Sequence, residues 1–373
     1  MDVSTENWIT PVVDANTVEA SAPCRVDMGG TLDLALFYYP LQHTAPCTFN
    51  AALNLRTRVS LSPYRSGWVK VSSRGFESAA HPLAQAPFTH PLGLMFAVAA
   101  HFRAAGLHIR IDSASPPRSA LGGSSVAAVA LVGALARCRA LAAGGDLNRD
   151  QTAHRAQHIE ETVAGVPCGI QDQLAAAYGG INTWHWEVGP DGLAVRRDGT
   201  AGAALAAGFK NHFLVAYGGN PHESRDVNGT WVRQFLAGRR REEWCRIAEC
   251  VHRFSKALST GNWTTAAEAM NQETAIRRTM TPEVLDEFGV ALIEAASDQG
   301  CGGRFTGAGG GGCLWAVGEA SAIDALRIRW RDLLLQRSQA RLLETTVDLD
   351  GLKISVRPRE EAQIRGSRPG RLV

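Results

Sequence analysis

The chain has 373 residues, 45% apolar and 20% charged, with a formal net charge of +2. That balance excludes a disordered or fibrous chain, and the near-neutral charge argues against a nucleic-acid surface, which concentrates Lys and Arg on one face. The length favours two domains with a cleft between them.

Eight cysteines are scattered with no Cys-x-x-Cys pair, the pattern of a reduced, cytoplasmic chain without structural zinc. The first twenty residues lack the basic start and apolar core of a secretory signal. The longest apolar run begins at Val126 and meets Arg137 short of the ~20 residues that a bilayer crossing needs, so no membrane partner is expected. The basic cluster at 238–244 includes Glu242 and Glu243 and reads as a solvated helix start.

Alternation over residues 17–28 and 46–64 predicts two strands, the first broken at Gly29-Gly30 and the second ended by Ser62-Pro63. Residues 90–106 have helical apolar spacing closed by Gly106, and 107–115 alternate as a strand. A helix over 150–164 must break at Gly165, Pro167 and Gly169, and another over 170–180 ends on paired glycines. The glycine-rich stretch around 186–208 is the expected seam between domains spanning 1–200 and 201–373. Beyond it come a strand near 210–219, a mostly helical span over 228–298, a glycine loop entering a strand after 302, an amphipathic helix after Ser321, and a polar tail from Arg357.

Residues 113–126, SASPPRSALGGSSV, sit between a strand and the apolar helix. A helix N-terminus leaves backbone N–H groups without partners and carries partial positive charge, so it attracts an anion. Gly122 and Gly123 keep side chains out of the way, while Ser124 and Ser125 offer hydroxyls to a phosphate oxygen and to Mg²⁺. The alternative is a tight turn with an N-cap.

Glu161 and Asp172 lie eleven residues apart across the helix break. Phosphoryl transfer from ATP needs a metal held against the phosphates and a carboxylate near the attacking hydroxyl. Glu161 suits the first task and Asp172 the second, with Glu160 competing for the metal, because successive helical residues point about 100° apart and only one can face the site. Two helix-capping surface carboxylates would look the same in sequence. The glycines of 302–312 weaken a fold unless close backbone approach requires them.

APCRVDMGGTLD (22–33), PPRSALGGSSVA (116–127) and GGRFTGAGGGGC (302–313) together resemble, in order, the three motifs of the GHMP small-molecule kinases, named for galactokinase, homoserine kinase, mevalonate kinase and phosphomevalonate kinase. GVPCGIQDQLAAAYGGIN (165–182) is similar to the branch of D-glycero-D-manno-heptose 7-phosphate kinases and L-fucokinases. The resemblance implies an α+β fold of two domains, an N-terminal ribosomal-protein-S5-domain-2-like α/β domain and a C-terminal ferredoxin-like α+β domain, with the nucleotide at their interface. It implies ATP and Mg²⁺ as cofactors and a sugar acceptor, often phosphorylated at the anomeric hydroxyl; a silent sugar and ATP sensor, or a kinase of a non-sugar alcohol, are the rivals. Asp172 matches the catalytic base and Arg25 the arginine beside it. Ser125 and Glu161 match the metal ligands. Pro117, Ser119, Leu121, Gly122, Gly123, Ser124, Ser125, Thr306, Gly307 and Gly309 fall where nucleotide is held, and Gly30, Asp33, Gln171, His222 and Ser224 where the acceptor is. Three positions depart from the pattern: Asp33 is spaced differently from the glycines, Ala120 replaces a glycine, and Arg304 stands where many relatives have Lys.

Overall fold

The computed structural model describes residues 8–145, 147–165, 167–189, 192–199, 208–220 and 227–359. The strands are β1 (Asn16–Met28), β2 (Cys47–Pro63), β3 (Trp68–Ser73), β4 (Ala79–Pro82), β5 (Leu107–Ser113), β6 (Ile181–Gly189), β7 (Gly192–Gly199), β8 (Phe213–Tyr217), β9 (Gly302–Phe305), β10 (Cys313–Val317), β11 (Arg341–Leu343) and β12 (Lys353–Pro358). The helices are α1 (Thr10–Ala15), α2 (Ala35–Tyr38), α3 (Gly93–His101), α4 (Gly123–Ala143), α5 (Arg149–Ala164), α6 (Gln171–Tyr178), α7 (Val227–Leu236), α8 (Arg241–Ser259), α9 (Trp263–Met280), α10 (Glu287–Asp298) and α11 (Ala320–Leu334).

The strands make two sheets. In the first, the order is β12-β1-β2-β5-β3-β4, and β2 is long enough to pair β6 along Cys47–Ala51 and β5 along Thr57–Pro63. β1 pairs β2 from Val18 to Met28, with a register shift between Pro23 and Cys24 just before Arg25. The second sheet runs β11-β8-β10-β9 and is antiparallel throughout.

α4 lies across β1 and β2, with α5 and α6 packed beside it. Its residues from Ser125 to Ala136 are all buried, because small and branched side chains let neighbours approach on every side. The helix runs past Arg137 to Ala143, so by length and composition alone it could cross a membrane; here it is the centre of the core. In the second unit α8 packs on α9, and α9 and α10 cover β9.

Two observations bear on the domain organisation. The glycine-rich stretch after residue 186 is not a linker over its first half, because β6 and β7 form a hairpin in register from Asn182↔Gly199 to Gly189↔Gly192. The chain end also leaves the second unit. Leu53 bridges Val347, and β12 pairs β1 from Asn16↔Pro358 to Ser21↔Lys353, completing the edge of the first sheet. The boundary at 200 and the tail beyond 359 lie outside the described residues.

Candidate active site

Gly122 caps α4 in the left-handed conformation, φ 77°, and no side chain bonds the first turn. The amides there are open to an anion, and space beyond Gly123 is empty. The loop before it is tightly wound, since Arg118 (φ 53°) and Ala120 (φ 59°) also adopt positive φ. Ala120 therefore takes, at some strain, the conformation that its glycine counterpart would reach freely.

Asp172 opens α6 and is gripped by Arg25 from β1 through two hydrogen bonds, Nε to Oδ1 at 2.7 Å and Nη2 to Oδ2 at 3.0 Å. Arg25 Nη1 donates to the Ala120 carbonyl at 2.9 Å, so one guanidinium ties the acidic residue to the phosphate loop. Burial alone would lower the arginine's pKa, but the carboxylates of Asp172 and Asp27 outweigh it and hold the group above its ordinary value. Gly122 sits under the Asp172 carboxylate, where an added Cβ would be 3.1 Å from Oδ2.

Of the two adjacent glutamates, the structure turns Glu160 toward the serines. Ser124 donates to Glu160 Oε1 at 2.9 Å and Gln173 Nε2 to Oε2 at 2.7 Å. Burial raises the Glu160 pKa, opposed by hydrogen bonds from Ser125 and Ser124. Glu161 points instead to Gln157, whose Nε2 donates to it at 3.2 Å, and it does not line the cavity. Glu161 is the expected partner of the serines; in the structure Glu160, one residue earlier and about 100° away about the α5 axis, is the glutamate that meets them.

Asp33 accepts hydrogen bonds from the Thr31 amide and from the Gln171 amide at the start of α6, each at 3.1 Å. Its carboxyl is pushed up to about 6, first by burial and further by the nearby Asp172 charge, with the Gln171 amide opposing. Gly169 must be glycine here, because a Cβ would fall 1.7 Å from Asp33 Oδ2. Gly30 leaves room for the Gln171 side chain, whose Nε2 lies 2.7 Å from where a Cβ would stand. Gln171 Oε1 and Gln173 Oε1 are buried with no hydrogen-bond partner among the described residues. Asn228 on α7 meets Thr31 Oγ1 at 3.2 Å and closes this end. His222 and Ser224 lie outside the described residues.

The second glycine run packs directly on the phosphate loop. Cys313 N donates to the Ser119 carbonyl at 2.9 Å, and a Cβ on Gly312 would strike that carbonyl at 2.6 Å. Gly307 reaches the cavity, and its amide donates to Asp27 at 2.9 Å. Three expected nucleotide contacts do not line the cavity. Leu121 is a core side chain whose carbonyl accepts from the Arg25 amide. Thr306 is buried and bonds the Ser119 and Cys313 carbonyls. Gly309 is pressed toward the Val284 carbonyl.

One cavity of about 780 Å³ collects the rest: Pro117, Ser119, Gly122, Gly123, Ser124, Ser125 and Gly307 at one end, and Gly30, Asp33 and Gln171 at the other, with Arg25, Asp172 and Glu160 on its wall. Sequence reading missed Asp27, although it shares a strand face with Arg25 two residues away, the spacing that could have revealed it.

The chain matches the model for the GHMP kinases N terminal domain over residues 92–180 and that for GHMP kinases C terminal over 254–333. It therefore carries both domains of the GHMP kinase family, in order, and has that family's two-domain architecture. The N-terminal match contains the phosphate loop, Glu160 and Asp172, and the C-terminal match the second glycine run. No curated protein sequence matches. Among solved structures, a D-glycero-D-manno-heptose 1-phosphate kinase from Bacteroides thetaiotaomicron is 17% identical with TM-score 0.65, covering 91% of this chain and 98% of its own. Lactococcus lactis galactokinase complexed with galactose is 16% identical with TM-score 0.68, over 90% and 95%. Streptococcus pneumoniae phosphomevalonate kinase, in complex with phosphomevalonate and AMPPNP, is 15% identical with TM-score 0.66, over 88% and 99%. At these identities the likeness is one of fold.

Proposed function

We propose that this protein is a sugar kinase that transfers the γ-phosphate of ATP to a sugar hydroxyl. The observation that carries the reading is the fork of Arg25 on Asp172, placed in one cavity between the open N-terminus of α4 and the buried, unpartnered amide oxygen of Gln171. The helix amides would hold the nucleotide's phosphates. Asp172 would orient the acceptor hydroxyl and take its proton, while Arg25 fixes the direction of the carboxylate and supports charge developing on the transferred group. Gln171 and Asp33 would bind further hydroxyls, since a buried acceptor without a donor favours a ligand that supplies one. Solved neighbours of this fold include a heptose kinase and a galactokinase but also a phosphomevalonate kinase, so the preference for a sugar rests on the hydroxyl-binding Gln171 and Asp33 and not on the neighbours.

The residues present fit Mg²⁺. Glu160 and the Ser124 and Ser125 hydroxyls are hard oxygen donors, and Glu160 is a half-buried carboxylate on the cavity wall whose charge a cation would compensate. Glu160 and Ser125 would hold the ion, which when bound neutralises phosphate charge during transfer.

The test is a coupled ADP-release assay over a panel of sugars with and without a terminal phosphate, with mevalonate and homoserine as comparators. Sugar-dependent ADP release is expected, falling about 10³-fold in Asp172→Asn while an ATP analogue binds within about threefold of wild type. Turnover of a comparator alone would overturn the sugar assignment, and ATP binding without turnover of any acceptor would favour the silent sensor.

A further inference from the structure

Behind Asp172, charges alternate in sign through the protein interior. Arg25, which grips Asp172, lies 3.3 Å from Asp27, and Asp27 lies 3.3 Å from Arg304. Arg304 closes its fork on both oxygens of Glu273, at 2.9 and 3.2 Å. Glu273 holds Arg277 one helical turn on, and Arg277 Nη2 donates to the Gly30 carbonyl at 2.7 Å. The ladder thus starts at the proposed base and returns to the acceptor wall. Asp27, Glu273, Arg277 and Arg304 are all 0% exposed, and the rings of Trp231 and Trp244 flank Arg277 at 4.8 and 5.0 Å.

Six charges that sum to zero are a poor way to make a stable core. Each ion loses its hydration on burial, and packed apolar side chains of similar volume are often at least as stabilising. What an ion ladder supplies instead is geometry, because every fork fixes the next. Glu273 is driven down to about 2: burial would raise it, but the two guanidinium groups prevail. The group stays charged and performs no proton transfer near neutrality. The rung between Asp27 and Arg304 crosses from β1 to β9, and Asp27 also accepts the Gly307 amide, so the ladder closes only when the two sheets are docked.

We propose that Arg304, Glu273 and Arg277 are positioning residues which, through Asp27, set the Arg25 fork and hence the aim of Asp172, making the geometry of the base depend on docking of the second unit. The catalytic consequence rests on the kinase reading; the positional one does not. The first experiment therefore needs no turnover. In protein labelled with ¹⁵N-arginine, the Arg25 Nε–H resonance is identified by its loss in Arg25→Lys. In Glu273→Gln that resonance is expected to shift and to exchange with water about tenfold faster, while the Nε–H of Arg56, donated to Ser21 at 3.1 Å further back along the same strand pair and outside the ladder, stays as in wild type. An unchanged Arg25 signal overturns the proposal. So does equal loss of protection at Arg56, which marks general loosening. Should Glu273→Gln not accumulate folded, Arg304→Lys, which keeps the charge but not the fork, carries the same test.

The second experiment is a double-mutant cycle. Glu273→Gln should lower kcat about tenfold with the KM for ATP within about twofold, and should have little effect once Arg25→Lys has already broken the fork. Equal factors in both backgrounds overturn the relay. Absence of ADP release from wild type counts against the kinase reading instead, and the resonance measurement still decides the ladder.

Discussion

Glu160 and Glu161 are chemically identical neighbours, and only one meets the serines. Glu160→Gln is expected to raise the Mg²⁺ concentration needed for half-maximal activity by about tenfold, because a hard anionic ligand becomes a neutral one. Glu161→Gln should shift it less than about twofold, and metal titrations of the two variants decide between them. Asp33 gives a second residue-scale prediction. Its folded pKa of about 6 lies above the ordinary carboxyl value of 3.8, so the folded chain holds this proton where the unfolded chain has lost it. The contribution to stability is full below the ordinary value and is lost as pH rises through about 6. Asp33→Asn should remove that pH dependence, while acceptor KM rises. Urea midpoints from pH 4 to 7 test it, and parallel curves for the two proteins would refute it.

Among the elements, the two glycine-rich loops act as one. A Cβ on Gly312 meets the Ser119 carbonyl, and its φ of 87° is strained for any other residue. Gly312→Ala should therefore destabilise by about 2 kcal/mol or more and weaken nucleotide binding, whereas Ala120→Gly, relieving a left-handed alanine, should stabilise by about 0.5–1 kcal/mol. Thermal melts with and without an ATP analogue separate the two effects. Most of these elements were legible in the sequence. The strand before the phosphate loop and the helices flanking Gly165 follow from period and breakers, and the glycine density announced close backbone approach. Which glutamate faces the site was not legible, since helical spacing says that adjacent residues diverge but not which way the helix is turned. Leu121, Thr306 and Gly309 are named for the nucleotide by their place in the motifs, and in the structure they pack within the two loops and not on the cavity wall, an arrangement that motif spacing does not reveal.

At the scale of the whole molecule, the return of the chain end to β1 ties the end of the chain to its beginning. Arg56 on β2 is bonded to Asp348 at 2.5 Å and to the Ser21 and Gly351 carbonyls at 2.6 Å each. Ending the chain after Leu343 removes β12 and leaves Arg56 half-buried without its carboxylate. Loss of about 3 kcal/mol or more is expected, read as a lower thermal midpoint or an insoluble product. An unchanged melt would show that the returning segment is dispensable.

By itself, the sequence established strand and helix order and the three glycine-bearing motifs, because these depend on local periodicity and short spacing; the meeting of Arg25 with Asp172, far apart in the chain, was implied only by the family resemblance and is seen in the fold. The tertiary structure alone decided which carboxylate meets the serines, that Asp27 and Glu273 share buried arginines, and that the last strand belongs to the first sheet. Those facts join residues up to several hundred positions apart, and only tertiary packing brings them within reach.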